Sequence, residues 1–137
     1  MGRFSVEVDL ANDEDLFRVN AGLIDAKEVR RVRIRGVVDS GAARLVIPES
    51  VARQLGLGVS GQSRVRYADG HTAERAIVHH VHLSYGGREG VFNAVVEPDR
   101  DSALIGAIVM EDLDLLIDCV TQQLVPRDPK QIISEIE

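Results

Sequence analysis

Cysteine is all but missing from this 137-residue chain. Cys119 stands alone, so one copy can build neither a disulfide nor a Cys-rich zinc site. Aromatics are scarce too, with three Phe, two Tyr and no Trp, and 16 Lys and Arg are outnumbered by 22 Asp and Glu for a formal net charge of −6. Such a chain offers neither the phosphate-neutralising field nor the stacking surfaces that nucleic acid requires. No apolar run nears the roughly 20 residues of a membrane-spanning helix, and Met1-Gly2-Arg3-Phe4-Ser5-Val6-Glu7 contains no secretory hydrophobic stretch. The expectation is a soluble, cytoplasmic protein with neither membrane nor nucleic acid as partner. What is present, 45% apolar and 28% charged residues, is the composition of an ordinary globular domain. The length suits one core, so residues 1–137 read as a single domain with 126–137 as a C-terminal tail.

Period-two alternation dominates the chain. Phe4, Val6, Val8 and Leu10 oppose Arg3, Ser5, Glu7 and Asp9, the pattern of a half-buried strand. Asn12 to Asp15 are turn formers that end it, and residues 16–29 carry no clear period. From Arg30 the alternation returns, Arg31, Arg33 and Arg35 against Val32, Ile34 and Gly36, and runs through Val37-Val38 into Asp39. The basic run is thus the outer face of a strand that ends at Asp39. Leu45-Val46-Ile47 is another apolar run. Pro48, Glu49 and Gly56 then bracket a two-turn helix burying Val51, Ala52 and Leu55. Arg64–Ala68 and His71–Val78 flank Asp69-Gly70, a pair expected to supply the positive φ angles of a tight hairpin. A second hairpin turns at Gly86-Gly87, joining a strand through Val81, Leu83 and Tyr85 to one through Val91–Val96. Ala103-Leu104-Ile105 is closed by Gly106 before a short helix over 108–113. Leu115–Ile117 and Gln123–Val125 read as the last strands, and Pro126 and Pro129 end regular structure. Many short strands and two short helices predict an all-β fold, closed or sandwich-like.

The sharpest chemical feature is Asp39-Ser40-Gly41-Ala42, a carboxylate at a strand end followed by a hydroxyl and a glycine. By itself the run also describes a turn, with Asp39 and Ser40 capping it and Gly41 supplying a positive φ. The wider pattern decides between them. Gly36-Val37-Val38-Asp39-Ser40-Gly41-Ala42 is followed by Leu45-Val46-Ile47-Pro48 and, about sixty residues later, by Ala103-Leu104-Ile105-Gly106 ahead of a helix. Over residues 32–125 this resembles the retropepsin-like aspartic peptidases, in a bacterial-type version.

The resemblance implies a retropepsin-like single lobe, a closed barrel with two short helices, assembled as a two-fold homodimer. It implies an aspartic endopeptidase needing no cofactor and no metal, whose partners are a second copy of itself and a peptide or protein substrate. Peptide hydrolysis by this route takes two carboxylates sharing one proton, since like charges about 3 Å apart cannot both ionise. A chain with one such loop therefore needs a second copy, each contributing Asp39. Ser40 ties the two loops together, Gly41 and Ala42 complete the loop, and Leu104, Ile105 and Gly106 support it. The hairpin Tyr67-Ala68-Asp69-Gly70-His71 stands where the family carries its substrate-binding flap. The chain departs from the family at the flap tip, with Asp69 and His71 in place of an apolar glycine-rich run, and at Ala43-Arg44. An inward-pointing Arg44 would depress the dyad's shared pKa. These departures motivate an alternative, a non-catalytic homodimeric peptide-binding or scaffolding module of the same fold.

Two other signals carry less. Gly56-Leu57-Gly58-Val59-Ser60-Gly61 spells a dinucleotide fingerprint but follows a helix and precedes a strand, the reverse of the required context. His79, His80 and His82 cluster, and His80 with His82 would share a strand face, yet no third ligand is fixed by spacing. A solvated strand face is the better reading.

Overall fold

The structure is a computed structural model and describes residues 3–136, so the expectations touching Met1, Gly2 and Glu137 lie outside the described residues. Nine strands are present among them: β1 Phe4–Asn12, β2 Arg31–Val38, β3 Leu45–Pro48, β4 Val59–Arg66, β5 Thr72–Tyr85, β6 Arg88–Glu97, β7 Ala103–Ile105, β8 Leu115–Asp118 and β9 Gln123–Pro126. Three helices punctuate them: α1 Asp13–Asn20, α2 Glu49–Leu55 and α3 Ala107–Asp112.

The strands lie in the order β1-β2-β7-β3-β6-β5-β4, and β1 also pairs with β5, which closes six of them into a barrel and leaves β4 outside it. Closure removes the free edges of those six strands and leaves one on β4. The fold is the all-β barrel the alternation predicts, with side chains of one face of each strand filling it. Leu10, Leu45, Ile47, Leu55, Leu83, Ile105 and Leu113 are among the fully buried side chains. The barrel is stitched by two parallel pairings, β2 with β7 and β3 with β6, beside antiparallel ones. β8 and β9 form a separate small hairpin.

Three differences from the sequence reading have physical causes. First, Asn12 to Asp15 do not form a turn. Asn12 ends β1 and caps α1, its Oδ1 accepting from the Asp15 amide at 3.1 Å. The one buried residue of α1 is a carboxylate, Asp15, which ties the helix down. Asp15 is buried and takes both the Arg30 guanidinium, at 2.9 Å to each oxygen, and the Arg30 amide at 3.0 Å. That grip lowers the Asp15 carboxyl to about 2. Second, the expected strands His71–Val78 and Val81–Tyr85 are one strand, β5. A β-bulge between Val78 and Val81 sets one extra residue against β6, and His80 takes a left-handed φ of 64° there. The bulge bends the strand without ending it. Third, of Asp69-Gly70 only Gly70 has a positive φ, 92°. The turn closes through the Gly70 amide to the Tyr67 carbonyl and the Tyr67 amide to the His71 carbonyl, both at 2.9 Å, a longer loop than a two-residue hairpin.

Candidate active site

β2 delivers Asp39 to the rim of the barrel. The Asp39 amide donates to the Ile105 carbonyl at 3.1 Å, which extends the β2–β7 pairing by one residue. The chain then turns back, the Ala42 amide donating to the Asp39 carbonyl at 3.1 Å. α3 locks this turn in place. Helix starts have amides without intrahelical partners, and here the Ala107 and Ile108 amides donate to the Ala42 and Ala43 carbonyls at 2.8 and 2.9 Å. Leu104, Ile105 and Gly106 therefore do sit against the Asp39 loop. Gly106 is required by space, because a Cβ there would lie 2.6 Å from the Arg44 carbonyl oxygen and 2.7 Å from the Ala43 carbonyl carbon.

The Asp39 side chain is 16% exposed. Its Oδ1 accepts from the Gly41 amide at 2.9 Å, and its Oδ2 lies 3.3 Å from Nη2 of Arg3. Gly41 is not in the left-handed region, so the positive φ suggested for it is corrected. A Cβ at Gly41 would stand 3.2 Å from Asp39 Oδ1, so the close approach is what glycine supplies. Ser40 and Gly41 are exposed, Ala42 half-buried, and Ser40 is itself engaged in an interaction.

Arg3, and not Arg44, is the cation at the carboxylate. Arg44 is exposed and makes no ion pair among the described residues. Sequence reasoning missed Arg3, because the string does not say which strands pair. Both strands were legible, and once Phe4 pairs with Val38 the preceding residue falls beside Asp39.

A groove of about 580 Å³ runs beside this loop, lined by Gly41–Arg44 on one side and by Val65, Arg66 and Tyr67 on the other. The β4–β5 hairpin overhangs it. Of its tip, Tyr67 lines the groove, while Ala68, Asp69, Gly70 and His71 are exposed. The Tyr67 hydroxyl donates to Glu97 Oε2, and Glu97 Oε1 accepts from Arg75 Nε at 3.0 Å. Arg75 also lies over the Tyr67 ring at 5.7 Å, and the His71 ring stacks on that of Tyr67 at 4.4 Å. Burial and the Glu97 carboxylate push the Tyr67 phenol up. At the tip, the His71 amide and imidazole beside Asp69 hold its carboxyl below the usual range. Glu97 and Arg75 carried no sequence signal, as they lie 22 residues apart and meet only across paired strands.

A family model described as aspartyl protease matches residues 23–109, more than half the chain and spanning Asp39, the hairpin and Gly106. The chain belongs to the aspartyl protease family. This makes it an aspartic-type peptidase, a hydrolase, with a retropepsin-like fold. Among solved structures it is similar to the EIAV protease complexed with an inhibitor, at 18% identity and a TM-score of 0.57 over 82% of this chain and 88% of that one. The simian foamy virus (mac) protease is a more distant likeness, at 15% identity and a TM-score of 0.45 over 57% of this chain and 80% of that one. No curated protein matches by sequence.

Gly56 ends α2 with a left-handed φ of 64°, and Gly58 and Gly61 lead into and lie within β4, so the dinucleotide-like run opens no helix. His79 and His80 occupy the bulge with rings stacked at 4.9 Å, while His82 Nε2 faces Glu89 Oε1 at 2.8 Å. Among the described residues no group of three His, Cys, Asp or Glu could hold a metal ion, and no helix is long and apolar enough to cross a membrane.

Proposed function

We propose that this peptidase is an endopeptidase that works as a homodimer, with Asp39 of each protomer forming the catalytic pair. The observation that carries the reading is the placement of Asp39. It is a single, nearly buried carboxyl at a strand end, framed by backbone hydrogen bonds and adjoining a groove overhung by a hairpin. A second carboxyl is needed, and a second copy supplies it about a two-fold axis. One Asp39 takes a proton from a shared water as the oxygen attacks the scissile carbonyl carbon. The other, protonated, donates to the carbonyl oxygen. Collapse of the tetrahedral species then breaks the C–N bond, and the nitrogen leaves with a proton from the pair. Ser40 would link the two loops, Gly41 and Ala42 would line the substrate, and Tyr67–His71 would close over an extended peptide that pairs like an added strand. Residues 1–137 form a single domain in this reading, with 126–137 as a tail.

Arg3 has to withdraw for this chemistry. Its Nη2 lies 3.3 Å from Asp39 Oδ2 and so engages an oxygen that the second carboxyl and the shared water have to reach. The same contact favours a second reading, a non-catalytic peptide-binding dimer in which Arg3 stays in place. Cleavage of a broad peptide library by wild type and by Asp39→Asn, with solution mass recorded for both, separates them. Cleavage by a dimer that vanishes in a dimeric Asp39→Asn supports the endopeptidase. Peptide binding without cleavage by either supports the module.

A further inference from the structure

The arginines of this acidic chain are not spread evenly. Nine of the fourteen pair with a carboxylate: Arg3, Arg18, Arg30, Arg33, Arg35, Arg53, Arg64, Arg75 and Arg127. Of the five without a carboxylate partner among the described residues, Arg88 is buried against the Leu113 and Asp114 carbonyls and Arg31 lies on the outer face of β2. The other three, Arg44, Arg66 and Arg100, all line the groove beside Asp39. They come from three walls: the loop after Asp39, the end of β4 where the hairpin tip begins, and the turn between β6 and β7.

Their charge is not cancelled locally. Two carboxylates line the same groove, Glu97 and Asp99. Both oxygens of Glu97 are already taken, one by the Tyr67 hydroxyl and one by Arg75. Asp99 alone stands against three cations. Arg100 is also held in position, its Nε donating to the Ser102 carbonyl at 2.8 Å and its Nη2 reaching Ser102 Oγ at 3.3 Å and the Ala103 carbonyl at 3.5 Å. A guanidinium has five N–H donors, so two remain for a ligand, on a side chain whose conformation is already fixed. Arginines with no carboxylate partner and N–H groups left over suit carboxylates, which they can grip with two parallel hydrogen bonds.

We infer that the groove selects acidic peptide segments, with Asp or Glu side chains flanking the scissile bond engaged by Arg44, Arg66 and Arg100. This rests on the groove being the peptide site proposed above, and it adds the substrate class. The chain's net charge of −6 sharpens the point, because the surface as a whole repels such segments while this groove draws them in.

The test uses matched peptides that share one apolar centre and carry Glu, Gln or Lys on both flanks. Binding to full-length Asp39→Asn and cleavage by wild type are both measured, at a pH where Glu is ionised. The Glu peptide is expected to bind the best, about tenfold over the Gln peptide at low salt, and to lose that margin as salt is raised. Arg44→Glu/Arg66→Glu is expected to invert the order in favour of Lys, whereas Arg31→Glu, a charge reversal outside the groove, is expected to leave it unchanged. Equal binding of the three peptides, binding of none, or an equal shift with Arg31→Glu overturns the inference. Its failure is distinguishable from that of the endopeptidase reading, which falls separately if wild type cleaves nothing or if Asp39→Asn still cleaves.

Discussion

The Asp39 loop and the β4–β5 hairpin face the same groove and are held by opposite means. The loop is fixed by main chain on main chain: β2 against β7, the amides of α3 on its carbonyls, and Gly106 pressed against the Arg44 carbonyl. Nothing there can yield without moving the barrel. The hairpin is held less firmly. β4 pairs with β5 alone, and its tip is tethered to the barrel through side chains, Tyr67 to Glu97 and Arg75 above them. Side-chain contacts can be exchanged for contacts with a ligand at little cost, while a backbone frame cannot. The pairing of a rigid carboxylate with a deformable cover is what a peptidase needs, since geometry must hold at the reacting atoms and give way at the entrance.

The comparison can be broken at its rigid end first. Asp39→Asn is nearly isosteric and keeps the Gly41 amide contact, so it should retain the folded state while lowering the cleavage rate by about a thousandfold or more, read by peptide hydrolysis beside thermal melting. Gly106→Ala should show how little the loop tolerates. With backbone atoms 2.6 to 2.8 Å from the added Cβ, the loop and α3 must separate, and we expect a loss of about 2–3 kcal/mol in denaturant unfolding along with most of the activity.

Acid sharpens the contrast by testing the frame away from the site. Asp15 is held at about 2 against an ordinary 3.8. Its folded value is depressed, so its contribution is complete above the ordinary value and is lost as pH falls from there through about 2. Asp15→Asn should cost about 2 kcal/mol at neutral pH and flatten the acid limb of a stability curve over that window. The smallest effect belongs to the hairpin. Tyr67→Phe removes the hydroxyl that donates to Glu97. Unfolding stability should change by less than about 1 kcal/mol, while KM shifts a few-fold as the cover loosens.

How much of this was legible in the sequence follows the same division. β1, β2, β3, α2, β6, β7 and α3 could be read because alternation, capping residues and glycine punctuation act locally. The Asp39 loop and Gly106 could be read as a pair because their residue types are demanded by a close backbone contact that tolerates few substitutes. α1 could not, as its hold on the barrel is the Asp15–Arg30 pair fifteen residues apart. Nor could Arg3 beside Asp39 or Glu97 beneath Tyr67, since each depends on which strands pair and in what register. Local chemistry writes itself into the string, whereas cross-strand neighbours are fixed only when the barrel closes.

β5 belongs to both halves of the comparison. Its first seven residues pair with β4, the last two of them, Ile77 and Val78, also pair with β6, and beyond the His79–His80 bulge Val81–Ser84 pair with β1. It is therefore a cantilever, clamped in the barrel wall from Ile77 onward and carrying the hairpin on its free length. Amide exchange along it should fall into two classes, fast before residue 77 and slow beyond it. A single continuous strand would thus hold two stabilities, with the first β6 pairing as the fulcrum between them.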